Sequence, residues 1–258
     1  MVGDMSDEIL NISNKEQHLG AICPALFVAI ANQQPLSTQN VLLSALSEMY
    51  NACQQAEPST LNRAISFKLT EQSVDEIVHR IEKYLADNCP SFKPLKQSIS
   101  YLLDELICNM QQHAKAKFGL AYVSYNTDTK TIDIALADNG ITIYGSYVNT
   151  NKYLNIIGES DAQALGLAQE GYSTKDLPNA ENRGYGLSSN IKMVTEGLHG
   201  EFAIISGNAM SLFTSKKKKL LSLPDQIEWN GTAVIARVPI EIPQTYNFYN
   251  YIAWLWRR

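Results

Sequence analysis

The sequence predicts an α+β fold, a two-layer α/β sandwich with helices packed on one face of a mixed, largely antiparallel sheet. Three observations carry that prediction. Tyr122–Tyr125 and Ile132–Leu136 alternate as strands and flank Asn126-Thr127-Asp128-Thr129 as the arms of a hairpin would. Two amphipathic helical patterns come before them, through Val74, Ile77, Val78, Ile81 and Leu85 and through Leu102, Leu103, Leu106, Ile107 and Met110. More strand candidates, Gly200–Ser206, Ser211–Thr214 and Thr232–Val238, follow a third helical pattern. Several helices beside hairpin-linked strands give a two-layer α+β sandwich.

Residues 1–60 read as a separate helical extension. Ser37 or Thr38 can cap a helix that runs to about Gln55 with Val41, Leu42, Leu46 and Met49 on one stripe, before Glu57-Pro58-Ser59-Thr60 breaks it. The extension is either a packing layer or a dimerisation and partner surface. Leu19–Ala31 is the most apolar run, but it contains Pro24 and is too short to span a bilayer, so it reads as a buried segment. The main domain covers 64–240. It opens on a strand at Ile65, Phe67 and Leu69, and a Pro90–Pro94 break separates its first two helices. Residues 241–258 form an aromatic tail, with Tyr246–Trp256 expected to dock on the domain's own core or on a second subunit.

At 258 residues and a net charge of −5, the chain has ample core and no basic footprint for nucleic acid. Cys23, Cys53, Cys89 and Cys108 show no paired spacing, as expected of free thiols in a reducing compartment. The acidic start lacks the order of a signal peptide, and no membrane segment is legible, so a cytoplasmic location is expected. Lys216-Lys217-Lys218-Lys219 reads as a solvated loop between strands. His18 and His79 read as surface histidines.

The chemistry concentrates in Asp104–His113. Glu105, Asn109 and His113 recur every fourth residue, and each step turns the side chain by only about 40°, so one helix face presents all three. Such a row suits a magnesium-nucleotide site, although ordinary solvated faces share the spacing. The strand through Ile132, Ile134 and Leu136 breaks at Asp138-Asn139-Gly140, where an acid could accept a ligand's hydrogen bond, or where a plain turn could form. Gly184-Tyr185-Gly186-Leu187 opens a helix through Ile191, Met193 and Val194, and glycines at a helix entrance let phosphate approach backbone N–H groups. Gly231-Thr232 starts the strand that ends at Pro239.

In this order the segments resemble the GHKL ATPase superfamily, which includes gyrase-type topoisomerases, mismatch-repair ATPases, sensor histidine kinases and anti-sigma-factor serine kinases. The Glu105-Asn109-His113 helix looks like the family's asparagine box. Asp138-x-Gly140 resembles the first glycine box, Gly184-x-Gly186-Leu187 the second, and Gly231-Thr232 the terminal one. Gly171-Tyr172-Ser173-Thr174-Lys175 is similar to a lid segment of several sensor kinases. The resemblance spans roughly residues 64–240 and departs from the pattern at Thr142, where a second glycine is usual. It implies a Bergerat-type ATP-binding fold and ATP with Mg2+ as cofactors. Asp138 would accept the adenine amino group, with Thr232 beside it and Gly140 in the turn. Asn109 would ligate the metal, and His113 would approach the phosphates. Gly184, Gly186 and Leu187 would form the phosphate cradle, and Ser173, Thr174 and Lys175 the lid. Glu105 would be the general base. The layout is closest to stand-alone anti-sigma-type kinases, so the implied function is ATP hydrolysis or γ-phosphate transfer to a partner protein; the alternative is a non-catalytic switch. A protein partner or phosphoacceptor is expected, and a homodimer remains open. Residues 144–183, with glycines at 145, 158, 166 and 171, read as a long mobile lid.

Overall fold

A computed structural model describes residues 65–252, apart from 117, 139, 175–184 and 223–228. The expected extension at 1–60 and the end of the aromatic tail lie outside the described residues. Strand β1 (Ile65–Lys68) leads into helix α1 (Glu71–Asn88), a short link, and the long helix α2 (Phe92–Gln112). The break between the helices is shorter than expected, because Pro94 falls in the first turn of α2, where its missing N–H costs no helical bond. The hairpin follows as β2 (Phe118–Asn126) and β3 (Thr131–Asp138), and the Asn126 side chain accepts the N–H groups of Asp128 and Thr129 to close its turn.

Three helices come next: α3 (Ile143–Thr150), the single turn α4 (Leu154–Ile157) and α5 (Asp161–Gln169). This is a departure from the mobile link expected at 144–183. Tyr147, Ile157, Ala164 and Leu167 form a small core of their own, so the segment is folded as far as Gln169, with Gly145 and Gly166 inside helices. Helix α6 (Tyr185–Lys192) continues into one π-helical turn, Met193–Gly197. The chain then adds β4 (Glu201–Gly207), β5 (Ala209–Phe213), β6 (Lys218–Ser222), β7 (Trp229–Pro239) and the short helix α7 (Tyr249–Ile252).

The sheet has seven strands in the order β1-β2-β3-β7-β4-β5-β6. Every pairing is antiparallel, so the expected mixed sheet is corrected: among the described strands no parallel pair occurs. Strand β6 is a second correction. Lys218 and Lys219 lie in an exposed edge strand and not in a loop, the placement by which charged side chains discourage edge-to-edge pairing.

One row of sheet residues, Val123, Ile134, Ala236, Phe202 and Phe213, faces the helices and joins their buried side chains in the main core. The tail docks on this same core. Tyr246 and Ser98 share a hydrogen bond of 2.6 Å between hydroxyls, and the Phe248 ring meets Tyr101 edge-on with centroids 5.8 Å apart. Trp254 and Trp256 lie outside the described residues. Strand β3 is buried along its whole length and on both faces, where a half-buried strand was expected. On its second face Asp133 meets Arg237 in a buried fork, Nε to Oδ1 at 2.8 Å and Nη2 to Oδ2 at 3.2 Å, with Glu201 3.8 Å from Nη1. No helix of the described residues is long and apolar enough to cross a membrane. Cys89 and Cys108 are free thiols; Cys23 and Cys53 lie outside the described residues.

Candidate functional site

The row expected along Asp104–His113 occupies the last two turns of α2. Leu102, Leu103, Leu106, Ile107 and Met110 are buried in the core, which leaves Glu105, Asn109 and His113 half-buried on the helix's remaining side. Glu105 and Asn109 are helical. His113 is the first residue beyond the helix and caps it, its N–H donating to the Asn109 carbonyl at 2.9 Å.

Strand β3 ends beside this helix terminus at Asp138, which is 3% exposed. By the pleat, Asp138 points to the same side as Ile132, Ile134 and Leu136, the side of the helical layer. Its Oδ1 accepts the Gly140 N–H at 2.9 Å, and the Thr232 N–H also donates to the carboxylate. Burial pushes its pKa up to about 7, against the opposing pull of those two N–H groups. A carboxylate held this way, buried but poised near neutrality, is suited to meeting a donor brought by a ligand.

The glycines have steric reasons that their sequence positions alone do not reveal. A Cβ on Gly140 would run into the carbonyl oxygen of Ala114, just past α2, and that same oxygen accepts the Ile141 N–H at 2.7 Å. The Asp138–Gly140 turn and the end of α2 are thereby fastened together. Gly231 has φ +130°, and a Cβ there would strike the Asp138 carbonyl and come within 2.8 Å of its Oδ1. A Cβ on Gly186 would fall on the Glu105 carboxylate, so the first turn of α6 passes directly against Glu105. Thr142, at the departure from the glycine pattern, has an extended backbone (φ −66°, ψ 169°) and caps α3, its hydroxyl accepting the Gly145 N–H at 2.9 Å. No glycine is needed at that position.

The segment after α5 closes the other side. Thr174 Oγ1 lies 2.7 Å from His113 Nδ1 and 3.0 Å from Ser146 Oγ, and Lys152 Nζ donates to the Thr174 carbonyl at 3.4 Å. The Tyr147 hydroxyl donates to the Tyr172 carbonyl at 2.6 Å, which fixes the approach to the buried Ser173. Behind Thr232, Ser206 Oγ donates to the Gly231 carbonyl at 3.0 Å and accepts the Ile143 N–H at 2.8 Å.

Of the expected site residues, Glu105, Asn109, His113, Thr174 and Gly186 gather along one rim, with Ser173 behind Thr174. Asp138, Gly140 and Thr232 form the adjoining corner, and Ala114 joins the two groups. Leu187 packs, partly buried, against the main core. Lys175 and Gly184 lie outside the described residues. Ser146, Lys152 and Ser206 were not foreseen: their partners stand 22 to 63 residues away in sequence, and no local pattern marks them. Among the described residues no three His, Cys, Asp or Glu side chains converge as a metal site. Compared with protein-family models and with curated protein sequences, the chain gives no match.

Proposed function

We propose that this chain is an ATP-binding protein of the GHKL type, with a Bergerat-type site between the helical layer and the segment ending at Thr174. The observation that carries the reading is the enclosure of Asp138: an acid buried at a strand end, aimed at the helical side, and clamped by two glycines at the terminus of the helix that bears Glu105 and Asn109. In its ionised form Asp138 accepts the exocyclic amino group of adenine; guanine would present a carbonyl oxygen there and be repelled. Thr232 flanks the base.

Asn109 would supply an amide oxygen to a magnesium ion bound with the nucleotide. The metal's charge offsets charge that builds on the phosphates during transfer. His113 and Thr174 offer a ring nitrogen and a hydroxyl to the phosphate end, and the start of α6 offers backbone N–H groups beside Gly186. Glu105, one turn before Asn109, takes the proton of the attacking hydroxyl, from water in an ATPase or from a side chain of a partner protein in a serine/threonine kinase. A cytoplasmic protein that phosphorylates or grips a partner, alone or as a homodimer, fits this chemistry.

A second reading, a switch that binds nucleotide with little turnover, is favoured by one contact. The Glu105 carboxylate lies against Gly186, and it must be free of α6 to reach a nucleophile.

Incubation of the pure protein with magnesium and γ-labelled ATP, with and without cell extract, separates these readings. Release of phosphate or labelling of a protein is expected, and Glu105→Ala should slow it by about 10²–10⁴-fold, the usual share of a general base, while ATP affinity stays nearly unchanged. Equal rates for wild type and Glu105→Ala would remove Glu105 as the base. ATP binding without turnover would support the switch.

A further inference from the structure

The contact between His113 and Thr174 joins a base to a hydroxyl, and the reaction assigned to Glu105 makes no use of it. Thr174 Oγ1 lies 2.7 Å from His113 Nδ1, within the reach over which a general base takes a proton from a nucleophile. The hydroxyl is held from a second side by Ser146, whose Oγ stands 3.0 Å away. Glu105, by contrast, lies against Gly186. Of the two candidate bases, His113 is the one that already holds a hydroxyl.

Both partners of the pair are fixed by the fold. The His113 N–H is tied to the Asn109 carbonyl at 2.9 Å, so the imidazole leaves the chain at a set point beyond α2. Ser146 sits in α3, its N–H donating to the carbonyl of the capping residue Thr142 at 2.8 Å. The approach to Thr174 is anchored at Tyr172, whose carbonyl accepts the Tyr147 hydroxyl and whose ring meets Tyr153 edge-on with centroids 5.3 Å apart. Lys152 Nζ then reaches the Thr174 carbonyl at 3.4 Å. An acceptor hydroxyl held this way has little orientational freedom left to lose in a transfer step.

We propose that Thr174 is an autophosphorylation site, its hydroxyl taking the γ-phosphoryl group of ATP bound by the same chain with His113 as the base. The inference rests on the ATP-binding reading and adds to it an acceptor within the chain. With Nδ1 unprotonated, Thr174 donates to the ring and Ser146 donates to Thr174, a line of donors that ends on the base. Oγ1 attacks the γ-phosphorus as its proton passes to Nδ1. One Oγ1–P bond forms, the bond from the γ-phosphorus to the β,γ-bridging oxygen breaks, and its electron pair leaves with ADP. Nothing is oxidised or reduced. The imidazolium and Lys152 then stand beside the new phosphate, which carries a charge of about −1.5 to −2 at neutral pH.

The test uses pure full-length protein, shown by intact mass to carry no phosphate, incubated with magnesium and γ-labelled ATP and no second protein. Fragmentation mass spectrometry locates the label. One acid-stable phosphate on Thr174 is expected, formed with a half-time that does not change on dilution. Thr174→Ser should keep the label and Thr174→Val should lose it. At saturating ATP, His113→Gln should slow labelling by about 10²–10⁴-fold. Acid-labile label on His113, label on Ser146 or Ser173, or a rate that falls on dilution, as transfer between molecules requires, would each overturn the proposal. Calorimetry on the same sample separates it from the reading beneath it. ATP binding without label at Thr174 overturns the autophosphorylation site alone, whereas absence of ATP binding removes both.

Discussion

Around Asp138 the chain is held by close backbone packing at glycines, whereas around His113 it is held by hydrogen bonds that side chains make. Gly140 against Ala114 and Gly231 against Asp138 leave no room even for a methyl group. His113 and the buried Ser146 each meet the Thr174 hydroxyl through one hydrogen bond, and Lys152 reaches the Thr174 carbonyl, immediately before residues 175–184. The difference teaches a division of labour. On the proposed nucleotide reading, a corner that recognises one flat base would gain from a shape fixed before binding, while a rim that accepts phosphates in more than one state would gain from contacts that exchange at small cost.

The largest effects should come from breaking the rigid corner. Gly140→Ala and Gly231→Ala each force a methyl group into a carbonyl oxygen, and a loss of about 3 kcal/mol or more is expected in urea unfolding. Gly158→Ala is the control: its φ is +53°, but open space surrounds it, so only the left-handed strain of about 1 kcal/mol applies. Equal losses at all three positions would show that steric enclosure does not distinguish the corner.

Acidity sharpens the comparison next. The Asp138 pKa of about 7 lies above that of an unfolded aspartate, so between about pH 4 and 7 the native state holds a proton that the unfolded chain does not. The stability this group contributes is therefore present below about pH 4 and is lost as pH rises through 7. Asp138→Asn should remove that slope in a series of unfolding curves. If Asp138 accepts the adenine amino group as proposed, the ionised form is the one that binds, so wild-type affinity for ATP should fall by about tenfold per unit below pH 7, and the Asn variant, titrated with the same nucleotide, should lack the excess dependence.

The smallest effects belong to the soft rim and to the cap beside it. Thr142→Ala removes the N-cap of α3 and should cost about 1 kcal/mol. Thr174→Val removes the contacts to His113 and Ser146 and should cost about 0.5–1.5 kcal/mol. A larger loss at Thr174 than at Gly140 would invert the comparison.

What was legible in the sequence was local. The α2 row and its buried partners are fixed by helical periodicity, and β3 with its terminal acid by alternation. Three features were not legible, each for a physical reason. The short helices α3–α5 are rich in apolar residues but too short to show a sustained apolar stripe, so they do not stand out before Tyr147 and Leu167 are seen to meet. Strand β6 was hidden because its lysines suit a solvated edge as well as a loop. The reason for Gly186 is the carboxylate of Glu105, 81 positions earlier (186 − 105), and no pattern in either segment announces the other. The second buried face of β3 was missed, although Ala135 and Ala137 break the polar half of the alternation.

The central claim is that the enclosed carboxylate of Asp138 reads adenine. Calorimetric titration of wild type and Asp138→Asn with Mg-ATP, and of wild type with Mg-GTP, addresses it directly. Wild type should bind ATP and discriminate against GTP, and the Asn variant should bind ATP about 30- to 150-fold more weakly, the loss of roughly 2–3 kcal/mol expected for a hydrogen bond to a charged group. Equal ATP affinity in the two proteins, or no heat of ATP binding in the wild type, would contradict the assignment.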